Sequence, residues 1–263
     1  MLIAKKWLAL DLDGTLLEPG AIILPQVIRL LDRYVAYGGK IAIATGRTLD
    51  SILEILEKNA CGLNGGYPHA IVANEREIYR RNADEFVSVE PRNRQLMAKE
   101  HALIDQARKI AQEAQVILTA RGIECSVPDV ALENQRGFIE RRYACPDDTA
   151  VAERVIRQFI PSHLPLRTVT NNHLVALRHK DASKGRALMD LCRLEGIAAS
   201  DLYAVGDACN DRDMLDGSWG FSGGTVANAV VAIRDLVIAR GGAVAAAARG
   251  LGVAELVEQL LVG

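Results

Sequence analysis

Residues 7–20 read "WLALDLDGTLLEPG", an apolar run that stops on Asp11 and Asp13 with only Leu12 between them. A single Asp-Gly pair would be ordinary turn chemistry, since Asp bonds its own backbone and Gly tolerates positive φ. Two carboxylates are another matter. At the end of an extended chain, side chains two residues apart point to the same side, so their repulsion has to be offset. A hard divalent cation such as Mg2+, which takes carboxylate and carbonyl oxygens with waters, is the usual remedy. A calcium loop starting at Asp11 would need Gly at position 16 and Glu at 22, and the chain has Leu16 and Ile22 there.

The elements around this pair predict what positions it. "PQVIRLLDRYVAYGG" opens with Pro25, carries Val27, Ile28, Leu31 and Val35 at helical spacing and closes on Gly38-Gly39, so it reads as a helix with a start and a stop. "KIAIAT" reads as a second strand, Thr48 as the cap of a helix over "LDSILEILEKN", and "HAIVA" as a third strand. That β-α-β-α-β order implies an α/β fold with a mostly parallel, Rossmann-like sheet covered on both faces.

Near residue 80 the rhythm changes and charge increases. The reading there is a long helix over "NRQLMAKEHALIDQARKIAQEAQ", strands at "VILTA", "IECSV" and "RGFIERRYA", a helix from "PDDTAVAERVIRQF", and strands at "LRTVT" and "HLVALRH". Without strict alternation this is an α+β insert. Alternation resumes with a helix at "SKGRALMDLCRLEG", a strand "LYAVGD", a helix after "NDRDML", the segment "WGFSGG", a strand "LVIA" and a final helix "VAELVEQLL", with "GGAVAAAARGLG" as a loop running into a short helix. The expected organisation is a core of residues 1–82 and 180–263 with the insert at 83–179.

The 263 residues, nearly half of them hydrophobic, suffice for a sizeable core in one large or two modest domains. A net charge of −2 and a pI near 6.2 offer no general electrostatic reason to bind nucleic acid or a membrane. Cys61, Cys125, Cys145, Cys192 and Cys209 form no CxxC pair, which argues against a disulfide framework or a zinc ribbon and fits a reducing compartment. The apolar run after the basic pair Lys5-Lys6 is too short for a signal peptide, and no run reaches membrane-spanning length. The expectation is a soluble cytoplasmic protein, monomeric or a small homo-oligomer, acting on a small molecule.

In an open α/β sheet, ligands gather at the carboxyl ends of the strands. Polar groups stand at such places here: Asp11 and Asp13, then Thr45-Gly46-Arg47, Lys184 at a helix start, and "GDACND" at 206–211. Taken singly, Lys184 reads as a solvated helix residue and Thr45-Gly46 as a strand-to-helix turn. Together they supply a carboxylate nucleophile, a hydroxyl, a fixed cation and further metal-binding carboxylates, an inventory suited to phosphoryl transfer.

DLDGT at 11–15, ATGR at 44–47, the SKG lysine Lys184 and "GDACNDRDML" at 206–215, in that order, make the chain resemble the haloacid dehalogenase superfamily phosphatases. At average residue frequencies the four fixed residues of DxDGT arise by chance in a chain of this length about once in several hundred. An insert between the second and third elements resembles the type IIB cap subclass, which includes Cof-type sugar phosphatases, phosphatases of sucrose, trehalose and mannosylglycerate phosphates, and phosphomannomutases. The resemblance implies a Mg2+-dependent phosphatase acting on a small phosphorylated sugar, polyol or sugar acid. Asp11 would be the nucleophile, already ionised at neutral pH, and Asp13 the acid-base partner of the leaving oxygen, with Thr15 bracing their loop. Mg2+ would be held by the Asp11 carboxylate, the Asp13 backbone carbonyl and Asp207, with Asp211 and Asn210 orienting the site from nearby; Asp211 is carried as a further metal candidate and Asn210 as a substrate contact. Thr45 and the Gly46 amide would bind phosphoryl oxygens, and Lys184 would neutralise charge on nucleophile and phosphoryl group.

Other features are weighed beside these. Asp213 and Asp216 read as helix-end or surface charges. "GFSGG" at 220–224 fits the serine-hydrolase elbow pattern, but that fold needs a histidine downstream of the serine and the last histidine is His179. No P-loop pattern occurs. Relatives of this cap type often carry Asn-Gly-Ala after the third strand where this chain has Asn74-Glu75-Arg76, so a tight Asn-Gly hairpin is absent and no ligand role is expected of that turn. Substrate choice should reside in the insert, with Arg141, Arg142, Asn171, Asn172, His173 and Arg178 as candidates, and in Arg47, whose planar fork suits a second anionic group. The alternatives are a phosphomutase on the same fold and a binding protein that has lost catalysis; the latter should lack Asp11, Asp13, Lys184 or Asp207, and all are present.

Overall fold

A computed structural model describes residues 6–61 and 66–262; the first five residues, with Lys5 of the basic pair, lie outside them. The chain divides into two compact units, Met1–Val89 with Ser183–Gly263, and Glu90–Ala182.

The first unit begins with β1 (Trp7–Leu10), α1 (Pro25–Ala36), β2 (Lys40–Ala44), α2 (Leu49–Lys58), β3 (Ala70–Ala73), β4 (Glu77–Asn82) and β5 (Glu85–Ser88). α1 starts on Pro25, and the Thr48 hydroxyl caps α2 by accepting from the Ser51 N–H, the placements the sequence predicts. β4 and β5 pair antiparallel on the edge of the same sheet, so this unit runs past the expected boundary at 82.

The second unit contains α3 (Arg92–His101), α4 (Ile104–Thr119), β6 (Cys125–Ser126), α5 (Val130–Arg136), β7 (Ile139–Tyr143), α6 (Pro146–Gln158), β8 (Leu166–Asn171) and β9 (Leu174–His179). Its antiparallel sheet has the order β6-β7-β9-β8. Ile110, Ala114 and Leu118 of α4 and Val155 and Ile156 of α6 pack with Ile139, Tyr143, Val175 and Leu177 of the strands. Three details differ from the sequence reading. The long helix is broken after His101, where the Leu103 N–H bonds the Glu100 carbonyl three residues back, a pinch that no Gly or Pro announces. "VILTA" is the end of α4 and the following turn rather than a strand, because Ala107, Ile110, Ala111, Ala114 and Leu118 already supply one buried helical face while Val116 is 72% exposed. α5 was not expected.

The chain returns to the first unit with α7 (Lys184–Glu195), β10 (Leu202–Val205), α8 (Arg212–Leu215), β11 (Ser222–Thr225), α9 (Val231–Ala239), β12 (Ala243–Val244) and α10 (Arg249–Val262). "LVIA" is the last turn of α9, with Ile233 and Val237 buried at i, i+4. The edge strand is β12, inside the Ala-rich stretch read as a loop. α10 starts earlier than "VAELVEQLL" and is 14 residues long.

The core sheet has the order β12-β11-β10-β1-β2-β3-β4-β5 and is parallel from β12 through β3. Side-chain alternation splits β1 between two apolar layers. Leu8 and Leu10 pack with α1, α2 and α10, whereas Trp7 and Ala9 pack with α7, α8 and α9. The strands β1, β2 and β3 progress in one direction and the returning chain enters at β10 on the other side of β1. The strand order therefore reverses at β1, and this switch point leaves a crevice at the carboxyl ends of β1, β2 and β10. Among the described residues, no helix is long and apolar enough to cross a membrane.

The helical state of "VILTA" has a direct check. Ala is a better helix former than Val and a poorer strand former, so Val116→Ala should raise stability by about 0.5 kcal/mol, read as a higher denaturant midpoint; a strand there would be weakened by the same change.

Candidate active site

The crevice brings the predicted core residues together. Asp11 continues β1, its N–H bonded to the Val205 carbonyl at 3.0 Å. Lys184 is the first residue of α7, where the Ser183 hydroxyl accepts from the Arg186 N–H. Its ammonium is fully buried and lies 2.6 Å from Asp11 Oδ1 and 2.6 Å from Asp211 Oδ1. Burial alone would push the Lys184 pKa down, but the two carboxylates outweigh it and hold the group above the ordinary lysine range.

Asp211 is spent on structure. Oδ1 meets Lys184, and Oδ2 accepts from the Asp207 and Ala208 N–H groups at 3.0 and 2.9 Å. Asp207 in turn accepts from the Thr15 hydroxyl at 3.0 Å, so Thr15 braces the neighbouring carboxylate as well as its own loop. Gly14 has φ +83, and a Cβ there would lie 2.3 Å from Asp207 Oδ2; the motif glycine is required both by conformation and by the close approach of this carboxylate.

One oxygen each of Asp11, Asp207 and Asp211 lies within 4.8 Å of the others. Asp11 resists ionisation: burial pushes it upward, Lys184 opposes, and Asp211 and Asp207 push upward again. Burial and Asp211 bring Asp207 up to about 6. Three converging carboxylates, with one lysine ammonium between two of them, are a donor set that a hard divalent cation fits.

Asp13 stands apart from that cluster. Its carboxylate is partly exposed and takes a two-point fork from Arg47, Nε to Oδ2 and Nη2 to Oδ1, both at 2.7 Å. Arg47 also donates to the Ser51 hydroxyl at 3.1 Å. The guanidinium expected to meet a second substrate anion is here committed to Asp13. Thr45 is buried at the end of β2, its hydroxyl accepting from the Arg47 N–H at 3.3 Å. Asn210 is buried and donates from Nδ2 to Glu75 Oε1 at 2.9 Å.

The sequence reading gives the Asn74-Glu75-Arg76 turn no ligand role, and the structure sets the Glu75 carboxylate against Asn210 beside these residues. Asn74 and Glu75 both have positive φ, 50 and 59, and form a tight β3–β4 hairpin turn without the Asn-Gly pair. The signal was a charged residue in a glycine's place. Asp213 is likewise more than a surface charge: its Oδ2 accepts from the Gly185 N–H at 3.1 Å, directly after Lys184. Asp216 accepts from the Ser218 N–H, an ordinary turn. Ser222 opens strand β11, so "GFSGG" lacks the strand-to-helix turn of a nucleophile elbow.

Within the second unit, two expected substrate cations are internal. Arg141 is buried, with Nη1 2.5 Å from Glu133, and Arg178 is buried against Glu100 at 2.7 Å and over the Phe138 ring at 3.9 Å. They bind elements of their own unit together and offer no open guanidinium. Arg142, one residue on, faces outward and is exposed. Asn172 and His173 form the two-residue turn between β8 and β9, next to Asn171.

The haloacid dehalogenase-like hydrolase family model matches residues 8–237. The 5-amino-6-(5-phospho-D-ribitylamino)uracil phosphatase YwtE of Bacillus subtilis is 26% identical, over 80% of this chain and 84% of that protein. A phosphoglycolate phosphatase of Methanoculleus marisnigri is 24% identical, over 80% of each chain. Among solved structures, the sucrose-phosphatase of Synechocystis sp. PCC6803 in complex with sucrose and phosphate shares the fold with a TM-score of 0.70 at 19% identity, over 99% of this chain and 98% of that one. With its motif residues gathered at the switch point and its family model spanning both units, the chain belongs to the haloacid dehalogenase-like hydrolases and is a phosphatase of that family.

Proposed function

We propose that this chain is a Mg2+-dependent phosphomonoesterase that hydrolyses a small phosphorylated sugar, polyol or sugar acid through a phosphoaspartate on Asp11. The observation that carries the reading is the buried Lys184 ammonium shared by Asp11 and Asp211, with Asp207 alongside. Asp11 and Asp207, with Asp211 behind them, would hold Mg2+, which when bound supplies charge neutralisation at the phosphoryl oxygens. Lys184 spends donors on Asp11 and Asp211 and has a third for a phosphoryl oxygen. The Thr45 hydroxyl accepts from the Arg47 N–H, which leaves its own hydrogen to donate to the same group.

Asp11 attacks phosphorus, the bond from phosphorus to the alcohol oxygen breaks, and Asp13 gives that oxygen a proton. Water then attacks phosphorus, Asp13 accepts its proton, and inorganic phosphate leaves a free Asp11. The substrate class rests on the type of insert and on two relatives named for small monoesters, one of a ribityl compound and one of glycolate.

A panel of sugar, polyol, glycerate and nucleotide monophosphates tests the reading. Phosphate release should require Mg2+, stop with EDTA and be absent in Asp11→Asn, and the best substrates should be sugar, polyol or sugar-acid esters rather than nucleotides; release that survives Asp11→Asn would remove the phosphoaspartate. Because Asp207 sits near 6, a proton competes with the cation below that pH. The rise in Tm caused by Mg2+ should therefore be larger above pH 6 than below it, and Asp207→Asn should abolish it at both. The Asp13 fork makes a third expectation. Arg47→Ala should lower kcat roughly tenfold with little change in KM, a fraction of the 10² to 10⁴ that a general acid contributes; a pure KM effect would return Arg47 to substrate binding.

A further inference from the structure

The β3–β4 turn is closed by the Arg76 N–H on the Ala73 carbonyl at 3.0 Å, with Asn74 and Glu75 at its centre. Gly takes this left-handed conformation freely and Asn tolerates it, whereas a glutamate there is strained. The turn is tied into the site by its backbone. The Asn74 N–H donates to the Arg47 carbonyl at 2.8 Å and the Glu75 N–H to the Thr45 carbonyl at 2.9 Å. Its side chain does the same. Glu75 is 6% exposed, its Oε1 accepts from Asn210, and a methyl added at Gly46 would lie 3.7 Å from that oxygen. One strained residue thus joins the Thr45-Gly46-Arg47 loop to the "GDACND" loop.

The chemistry of the contact orients Asn210. A carboxylate only accepts, so the amide nitrogen must face it. Asn210 then presents Oδ1, which is buried and has no hydrogen-bond partner among the described residues. A buried acceptor left without a donor is costly, and a donor brought by whatever fills the crevice would remove that cost. We propose that Glu75 is a positioning residue that locks the Asn210 amide so that its Oδ1 receives an O–H donor from the bound substrate or from a water carried in with it. The inference rests on the phosphatase reading for what occupies the crevice.

The test is a double-mutant cycle on Glu75 and Asn210, read as kcat/KM for the best monophosphate of the panel and, separately, as Kd for inorganic phosphate. Glu75→Gly removes the backbone strain and the tether together, so its Tm should not fall below wild type while kcat/KM and phosphate affinity drop about tenfold. Asn210→Ala should cost as much, and the double variant no more than either alone. Glu75→Gln keeps an acceptor oxygen within reach of Asn210 and should restore most of the loss. Additive losses, a Gln variant as impaired as the Gly variant, or an unimpaired Gly variant would each overturn the role. A wild-type protein that releases no phosphate from any monoester would defeat the phosphatase reading, and the phosphate-binding arm of the cycle would still decide Glu75.

Discussion

The site depends on one ammonium removed from water. Lys184 has no exposed surface and touches two carboxylates, one on the loop after β1 and one on the loop after β10. Burying a lysine is expensive unless it is paired, and even a well-paired buried ion pair adds little net stability over apolar packing. Its contribution is geometric. Lys184 opens α7, and the bonds to Asp11 and Asp211 fix where that helix begins relative to β1 and β10. The Gly185 N–H to Asp213 contact pins the next residue, so the helix start is held from two sides.

Stability has to come from elsewhere, and the sheet supplies it. Each strand at the switch point is buried on both faces, with alternate side chains feeding separate apolar layers. A rigid, doubly covered sheet lets the loops at its carboxyl ends carry charge that the layers could not accommodate. Among the described residues of this unit, the crevice holds the buried carboxylates Asp11, Glu75 and Asp211, while Glu77 is paired elsewhere with Arg76, and Lys184 is the one buried lysine. That gathering of carboxylate oxygens is the physical argument for the divalent cation proposed at this place: a bound cation would complete their neutralisation.

How much of this was legible in the sequence follows from the range of the interactions. The placement of Asp11, Asp13, Thr45, Lys184 and Asp207 beside one another was readable because each sits at a boundary whose local signals are strong, such as Ser183 capping α7 or Thr48 capping α2. "VILTA" and "LVIA" misled because a short apolar run has no period of its own; only the burial of Leu118 and Val237 on faces started residues earlier decides for helix. Arg141 and Arg178 misled for a different reason. A cation in a charged stretch looks available until its partner is known, and the partners Glu133 and Glu100 lie 8 and 78 residues away. Asp213 was passed over because its acceptor role depends on where α7 begins.

Glu75 shows the limit of reading by motif. A turn that lacks the Asn-Gly pair offers no motif to read, and the left-handed conformation costs an ordinary residue about 1 to 2 kcal/mol. Here the turn forms anyway, since β3 and β4 pair on both sides of it and two of its amides are claimed by the carbonyls of Arg47 and Thr45. Those bonds are available to any residue, glycine included, so they explain the turn without explaining the side chain. What the glutamate adds is a carboxylate aimed at Asn210, which glycine would forgo. The strain is thus borne by the backbone and its return appears as a fixed amide in the crevice, a trade that only the folded site makes visible.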